Sequence, residues 1–270
     1  MPSPLRPVPA GAAPDLSDAA AAPPAGLPGK GEREERLARL GDRLEELSAT
    51  LAGEGTRSLL VVLQGRDASG KDGVIRKVFG RINPAFCQVT SFKRPTIHEL
   101  RHDFLWRVHA HAPPRGVVGV WNRSHYEDVV TVRIHRLVAE PVWHGRYDHI
   151  NAFERLLADE GTRVVKLLLH VSRDEQRRRL RGRLDDPAKN WKFEPGDLRE
   201  RERWDEYTLA YQEALARCST AWAPWYVIPA DRNGPRDLLI AELLVDALEA
   251  LDPRYPPADP EVLRLRDTLA

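Results

Sequence analysis

Five short apolar runs, separated by longer amphipathic stretches, constrain this chain more than any other feature of its sequence. The runs are Leu59 to Leu63, Cys87 to Phe92, Val117 to Trp121, Val164 to Val171 and Trp225 to Ile228. Between them lie helical patterns at Gly70 to Phe79, Ile97 to His109, His125 to Leu137, Ile150 to Glu160, Ser172 to Leu184, Leu198 to Arg217 and Arg236 to Leu251. A short apolar run without alternation reads as a strand buried on both faces. Such strands alternating with helices build a parallel sheet. The expected fold class is α/β, a three-layer α/β/α sandwich around a parallel five-stranded sheet. In such folds ligands sit beyond the carboxyl ends of the strands, so the residues just after each run matter most.

Two segments lie outside this alternation. Met1 to Lys30 holds eight of the 22 prolines and eight alanines. That composition buries too little apolar area to offset its ordering entropy, so residues 1–30 read as a flexible tail. An arm ordered against a neighbouring subunit is the alternative, and no secretory signal pattern is present. From Glu32 to Leu51 the leucines 37, 40, 44, 47 and 51 repeat at helical spacing, marking a core-facing helix. The body of the fold is expected over 31–252, with a C-terminal extension at 253–270.

Directly after the first run comes Gln64-Gly65-Arg66-Asp67-Ala68-Ser69-Gly70-Lys71-Asp72-Gly73. Gly65, Gly70 and Lys71 have the spacing of a phosphate loop between a strand and a helix. The glycines let backbone N–H groups, including those of Ala68 and Ser69, curl around phosphate oxygens. Lys71 can then reach the phosphate being transferred. The Ser or Thr that usually follows this lysine and binds magnesium is replaced by Asp72. Asp67 stands inside the loop, where a carboxylate close to phosphate is repelled unless it holds a bridging Mg²⁺. Capping of the following helix is the plainer role for it.

The third run ends in Asn122-Arg123-Ser124-His125-Tyr126-Glu127-Asp128. A metal-holding acidic residue is expected at the end of a neighbouring strand in phosphate-loop enzymes. Here Asn122 comes first, and Glu127 and Asp128 follow a turn and a half later. Arg123 is placed to contact a phosphate, with a structural ion pair as the alternative. His125 reads as a hydrogen-bonding scaffold, because phosphoryl transfer depends on positioning and charge neutralisation more than on a base.

Charge adds a further clue. The 41 basic and 40 acidic side chains leave a formal net charge of +1, which argues against a general nucleic-acid coat. Locally the balance fails: Arg173 to Lys192 carries eight basic and four acidic residues after a capping box at Ser172. Arg177, Arg178 and Arg181 share a helix face and, with Lys189 and Lys192, are expected to line one channel wall. A solvated face is the alternative. Only seven of the 41 basic residues are lysine, and four of these are Lys71, Lys93, Lys189 and Lys192. In a chain that otherwise chooses arginine, this points to compact charges against single phosphate oxygens. Cys87 and Cys218 supply neither a disulfide framework nor a metal cage, which suggests a reducing cytoplasm. No apolar run approaches the ~20 residues of a membrane span.

Together, the phosphate loop, Phe92-Lys93-Arg94-Pro95-Thr96 and the Asn122-to-Asp128 tail resemble the second polyphosphate kinase family. His102 to Arg107, Asp186 to Lys192 and Ala223 to Tyr226 match as well, and the resemblance runs from about Glu32 to Leu251. The tail looks like that of class III, where classes I and II have Asp-Arg-Ser-Trp-Tyr. The resemblance implies a P-loop kinase fold with a helical lid at about 173–195. It implies transfer of the terminal phosphate of inorganic polyphosphate to AMP and ADP, giving ADP and ATP reversibly, with GMP and GDP as further acceptors. Mg²⁺, or Mn²⁺ in its place, is the implied cofactor, held by Asp67 and Asp128. Lys93, Arg94, Arg177, Arg178, Arg181, Lys189 and Lys192 would bind the phosphate chain, while Asn122 and Glu127 would face the nucleotide. A homodimer or homotetramer without nucleic-acid or membrane partners is expected. The rival readings are an ATP-dependent nucleoside monophosphate kinase and a non-catalytic polyphosphate- or nucleic-acid-binding module.

Overall fold

A computed structural model describes residues 3–265, and the side chain of Lys192 lies outside that description. Helix α1 (Lys30–Glu54) leads into strand β1 (Ser58–Gln64) and helix α2 (Lys71–Lys77). Strand β2 (Cys87–Ser91), helix α3 (Trp106–His109) and strand β3 (Val118–Asn122) follow. Next come α4 (Thr131–Ile134), α5 (Glu140–Asp159), β4 (Thr162–His170) and α6 (Arg173–Leu184). The chain continues through α7 (Gly196–Glu202), α8 (Trp204–Cys218), β5 (Trp225–Pro229), α9 (Asn233–Glu249) and α10 (Pro260–Leu265). The five strands form one parallel sheet in the order β2-β3-β1-β4-β5.

Successive side chains of a strand point to opposite faces, and here the two sets enter two separate cores. Leu60, Val62, Trp121, Val164 and Leu168 pack against Tyr147, Ile150, Phe153 and Leu157 of α5 and against Ala214 and Leu215 of α8. Leu59, Val61, Leu63, Val120 and Leu167 pack against Leu44, Leu47 and Leu51 of α1 and Ile240, Leu244 and Leu248 of α9. The three expected layers are present.

Several local expectations needed adjusting. Strand β2 is an edge strand, with Gln88, Val89 and Ser91 exposed rather than buried on both faces. The helical pattern at 97–109 is broken, because the Asp103 carboxylate accepts from the Leu105 and Trp106 N–H groups and starts a new turn there. The 125–137 pattern holds only a 3-10 turn at His125–Asp128 and α4, interrupted at the β-branched pair Val129-Val130. Helix α5 begins ten residues before the expected Ile150, with Pro141 in its first turn.

The N-terminal segment is the largest correction. Val8, Leu16 and Ala21 are buried. Val8 N–H donates to the Trp225 carbonyl at 2.8 Å and its own carbonyl accepts from Ser219 Oγ at 2.5 Å. Further on, Asp231 N–H donates to the Ala21 carbonyl at 3.1 Å. The Trp225 carbonyl of β5, the Ser219 hydroxyl and the Asp231 N–H hold a segment whose composition alone reads as a flexible tail. Among the described residues no helix is long and apolar enough to cross a membrane.

Candidate active site

The central strand β1 delivers the loop at 65–70 to the carboxyl edge of the sheet, and α2 carries it away. Two glycines are required there. Gly65 has φ 146°, and a Cβ on it would lie 2.6 Å from the Leu169 carbonyl. Gly70 has φ 101°, and a Cβ there would meet Arg236 Nη1 at 2.1 Å. Ala68 is also left-handed, at φ 63°, a conformation that costs about 1 kcal/mol for a residue with a side chain. Ser69 N–H closes the turn onto the Arg66 carbonyl at 3.1 Å.

Lys71 is buried at the start of α2, with Nζ donating to the Gly65 and Arg66 carbonyls at 2.7 and 3.3 Å. Burial, and then the charge of Arg123, push its ammonium down to about 8. Arg123 stands at the end of β3 with φ 63°, its N–H donating to the Leu63 carbonyl of β1 at 3.0 Å. Its guanidinium reaches Asp67 at 2.5 Å and Glu127 at 3.4 Å. Glu127, burial notwithstanding, and then Asp67 hold that guanidinium firmly charged. Thr131 Oγ1 donates to Glu127 at 2.5 Å, while Asn122 Nδ2 donates to Asp72 at 3.2 Å. Loop and tail therefore meet in one network.

A cleft opens beside this network, lined by Gly65, Arg66, Asp67, Arg123, Glu127, Gln176, Glu200, Trp204, Tyr207 and Tyr211. Six of these ten, Arg66, Gln176, Glu200, Trp204, Tyr207 and Tyr211, are not among the site residues expected from the sequence. Arg66 lies in the loop, its guanidinium 3.9 Å above the Trp204 ring and bonded to Thr208 Oγ1 at 2.6 Å. Burial lowers it to about 10. Trp204, Tyr207 and Tyr211 follow each other at helical spacing on α8, which reads equally well as core. Nothing in their spacing shows that the helix crosses the loop mouth.

Other expected site residues sit elsewhere. Lys93 and Arg94 are exposed just beyond β2, on the same sheet edge as Asn122, and neither lines the cleft. Asp128 accepts from Arg146 through its carbonyl at 2.9 Å and its carboxylate at 3.4 Å, outside the cleft. Burial raises its carboxyl to about 6. On α6, Arg177, Arg178 and Arg181 are 71, 69 and 83% exposed, each paired with an acidic neighbour on its own segment. Lys189 pairs with Asp186 at 2.6 Å. None of these side chains lines the cleft. The Lys192 side chain lies outside the described residues.

Beneath the tail, His125 and Tyr126 are buried over an ion pair. Lys166 Nζ donates to Glu154 at 2.5 Å, Tyr126 Oη at 2.8 Å and the Cys218 carbonyl at 2.6 Å. Glu154 also accepts from Tyr126 Oη at 2.9 Å and meets His125 Nε2 at 3.2 Å. Three acceptors match the three donors of an ammonium. Burial lowers the His125 imidazole, which suits a neutral scaffold ring.

The strand order, the loop after the central strand and the basic helix beside it define a P-loop phosphotransferase of the kinase type. Similarity to known proteins narrows this class. The family model Polyphosphate kinase 2 (PPK2) matches residues 29–256, and the chain belongs to that family. It is 53% identical over 228 residues to the AMP/ADP-polyphosphate phosphotransferase of Meiothermus ruber, a match covering 84% of this chain and 85% of that one. The ADP-polyphosphate phosphotransferase of Rhodopseudomonas palustris is 43% identical over 244 residues, with 84% of each chain covered. The crystal structure of Polyphosphate Kinase 2 from Arthrobacter aurescens TC1 superposes with a TM-score of 0.88 at 37% identity, covering 98% of this chain and 99% of that one. The chain is an enzyme, and phosphotransferases of this family generally need a divalent metal.

Proposed function

We propose that this chain transfers the terminal phosphate of inorganic polyphosphate to AMP and to ADP, reversibly and with Mg²⁺. The observation that carries the reading is the convergence of Lys71, Arg123, Asp67 and Glu127 at the mouth of one phosphate loop. The names of the relatives supply the donor and the acceptors. Phosphoryl transfer proceeds through a loose transition state with charge on the equatorial oxygens, so positioning and neutralisation dominate. Lys71 keeps Nζ on the Gly65 and Arg66 carbonyls and offers its third N–H to the transferred phosphoryl group, while Arg123 adds a second positive charge. Glu127 sets the Arg123 guanidinium and, with Asn122, faces the acceptor nucleotide. The exposed arginines of α6, with Lys93, Arg94, Lys189 and Lys192, draw the chain of phosphates in by charge.

Asp67 fits a magnesium site: it is a partly exposed carboxylate beside the phosphate position, and Mg²⁺ takes one or two carboxylates together with phosphate oxygens and waters. When bound, the ion neutralises phosphate charge and orients oxygens. Mn²⁺ would be held by the same donor. Asp128, engaged by Arg146, supports the tail in this reading and leaves the metal to Asp67. The two free cysteines accord with a cytoplasmic enzyme. Exposed Val142, Leu156 and Leu209 on α5 and α8 accord with a homodimer or homotetramer.

The test supplies AMP and polyphosphate with Mg²⁺ and no ATP. ADP and then ATP are expected, with GMP and GDP run in parallel as acceptors. No product from folded enzyme refutes the reading. Product only after adding ATP would point to an ordinary nucleoside monophosphate kinase instead.

A further inference from the structure

A phosphate loop works through its N–H groups, so its carbonyls must be satisfied elsewhere. Each carbonyl from Gly65 to Ser69 accepts a side-chain bond. Gly65 and Arg66 are held by Lys71. The Asp67 carbonyl accepts from Gln176 Nε2 at 3.0 Å. The Ala68 and Ser69 carbonyls both accept from Arg179 Nη1, at 3.1 and 3.0 Å. Three of the five carbonyls are thus held by two side chains of α6.

Both side chains are themselves fixed. Arg179 Nε donates to Glu175 at 2.7 Å and Nη2 to the Ala230 carbonyl, just past β5, at 2.5 Å. Gln176 is buried, and its Oε1 accepts from Arg201 Nη1 of α7 at 2.9 Å. Helix α6 therefore has two faces with different work. The Arg177, Arg178 and Arg181 side chains lie in solvent, whereas Gln176 and Arg179 grip the loop backbone.

We propose that Gln176 and Arg179 are positioning residues for phosphoryl transfer. By holding the carbonyls of Asp67, Ala68 and Ser69, they keep the loop N–H groups and the Asp67 carboxylate aimed at the phosphate. They also tie the seating of α6 to the shape of the loop. This rests on the reading above that the loop binds the transferred phosphate. Ala68 is the weak point they secure, since its left-handed backbone has no glycine to relax it.

The experiment compares Arg179→Met, Gln176→Met and Arg177→Met with the unaltered enzyme. It measures kcat, KM for short and long polyphosphate, and thermal midpoint. Loss of loop aim is expected to lower kcat by about tenfold in Arg179→Met and somewhat less in Gln176→Met, equally for short and long chains. Arg177→Met instead raises KM for polyphosphate, more for long chains. Arg179→Lys keeps one donor in reach of the carbonyls and is expected to recover part of the kcat.

Unchanged kcat in Arg179→Met overturns the proposal. So does a purely KM effect that grows with chain length, which would make Arg179 a direct polyphosphate contact. If Arg179→Met does not fold, Gln176→Met decides by the same criterion. Product from the unaltered enzyme is the internal control. Its absence sinks the functional reading, whereas its presence with unaltered variants sinks the positioning role alone.

Discussion

Replacing Lys166 by methionine removes a cation that is 0% exposed from a carboxylate that is 1% exposed. Glu154 would keep Tyr126 Oη at 2.9 Å and His125 at 3.2 Å, but no charge would balance it. Breaking one side of a buried pair in this way costs about 3–5 kcal/mol. Domains of this kind are stable by roughly 5–15 kcal/mol, so the loss is a large share of the total. With an m value of about 3 kcal/mol/M, the urea midpoint should fall by about 1–1.7 M. The double variant Glu154→Leu/Lys166→Met removes both charges and should recover most of that loss, because apolar replacement of a whole buried pair is often near neutral.

The pH dependence gives a second check with opposite signs. In the unaltered protein, burial pushes the Glu154 carboxyl up, but Lys166 and the His125 bond pull it further down, below its ordinary 4.5. Its stabilisation is present above pH 4.5 and is lost as pH falls through the depressed folded value. Without Lys166, only the His125 contact still opposes burial, so that carboxyl rises relative to the unaltered protein and Lys166→Met should instead lose less on acidification. Urea titrations at several pH values measure both effects. A cost below about 1 kcal/mol, or an unaltered pH slope, would show that the pair is not a coupled buried charge pair.

Three further outcomes are expected. Lys71 is held down to about 8, so it is protonated below that pH and loses its charge above it; kcat/KM for polyphosphate should fall as pH rises past 8, and a flat profile to pH 10 would refute this role. Asp67→Asn should lower turnover by about 10²–10³-fold at saturating Mg²⁺, since it frees Arg123 and removes the carboxylate; near-normal rates would exclude it from the metal site. Deleting residues 1–29 removes the bonds at 2.8 and 2.5 Å that Val8 makes to Trp225 and Ser219, each worth about 1 kcal/mol, and exposes the β5 edge. A lower thermal midpoint and self-association should follow, and an unchanged midpoint would show that the segment only rests on the surface.

Much of the site could be read from local chemistry. Gly65, Gly70 and Lys71 announce themselves because a phosphate loop is contiguous, and its glycines answer a steric demand visible in the six residues from Gly65 to Gly70. The tail from Asn122 to Asp128 follows a buried strand for the same reason. Arg66, Trp204 and Tyr211 could not be found this way, since their roles depend on α8 crossing the loop mouth. Arg179 was hidden differently. It sits among seven other basic residues, and only the helix rotation separates it, facing the loop, from Arg178, facing water.

From its own residues the chain determines the alternation of strands and helices, the parallel sheet and the position of the phosphate loop. Those follow from hydrophobic periodicity and backbone sterics, which act over a few residues at a time. Whether a basic residue neutralises phosphate, holds a carbonyl or is buried in a core depends on neighbours far along the chain. Lys166, which the sequence does not single out, ends in the core under the tail because Glu154 and the Cys218 carbonyl converge on it. Proline-rich residues 3–29 are held by partners such as Ala216, Ser219, Trp225 and Asp231, some two hundred residues later. Charge and edge satisfaction are settled by pairs distant in sequence, and such pairs exist only once the chain has folded.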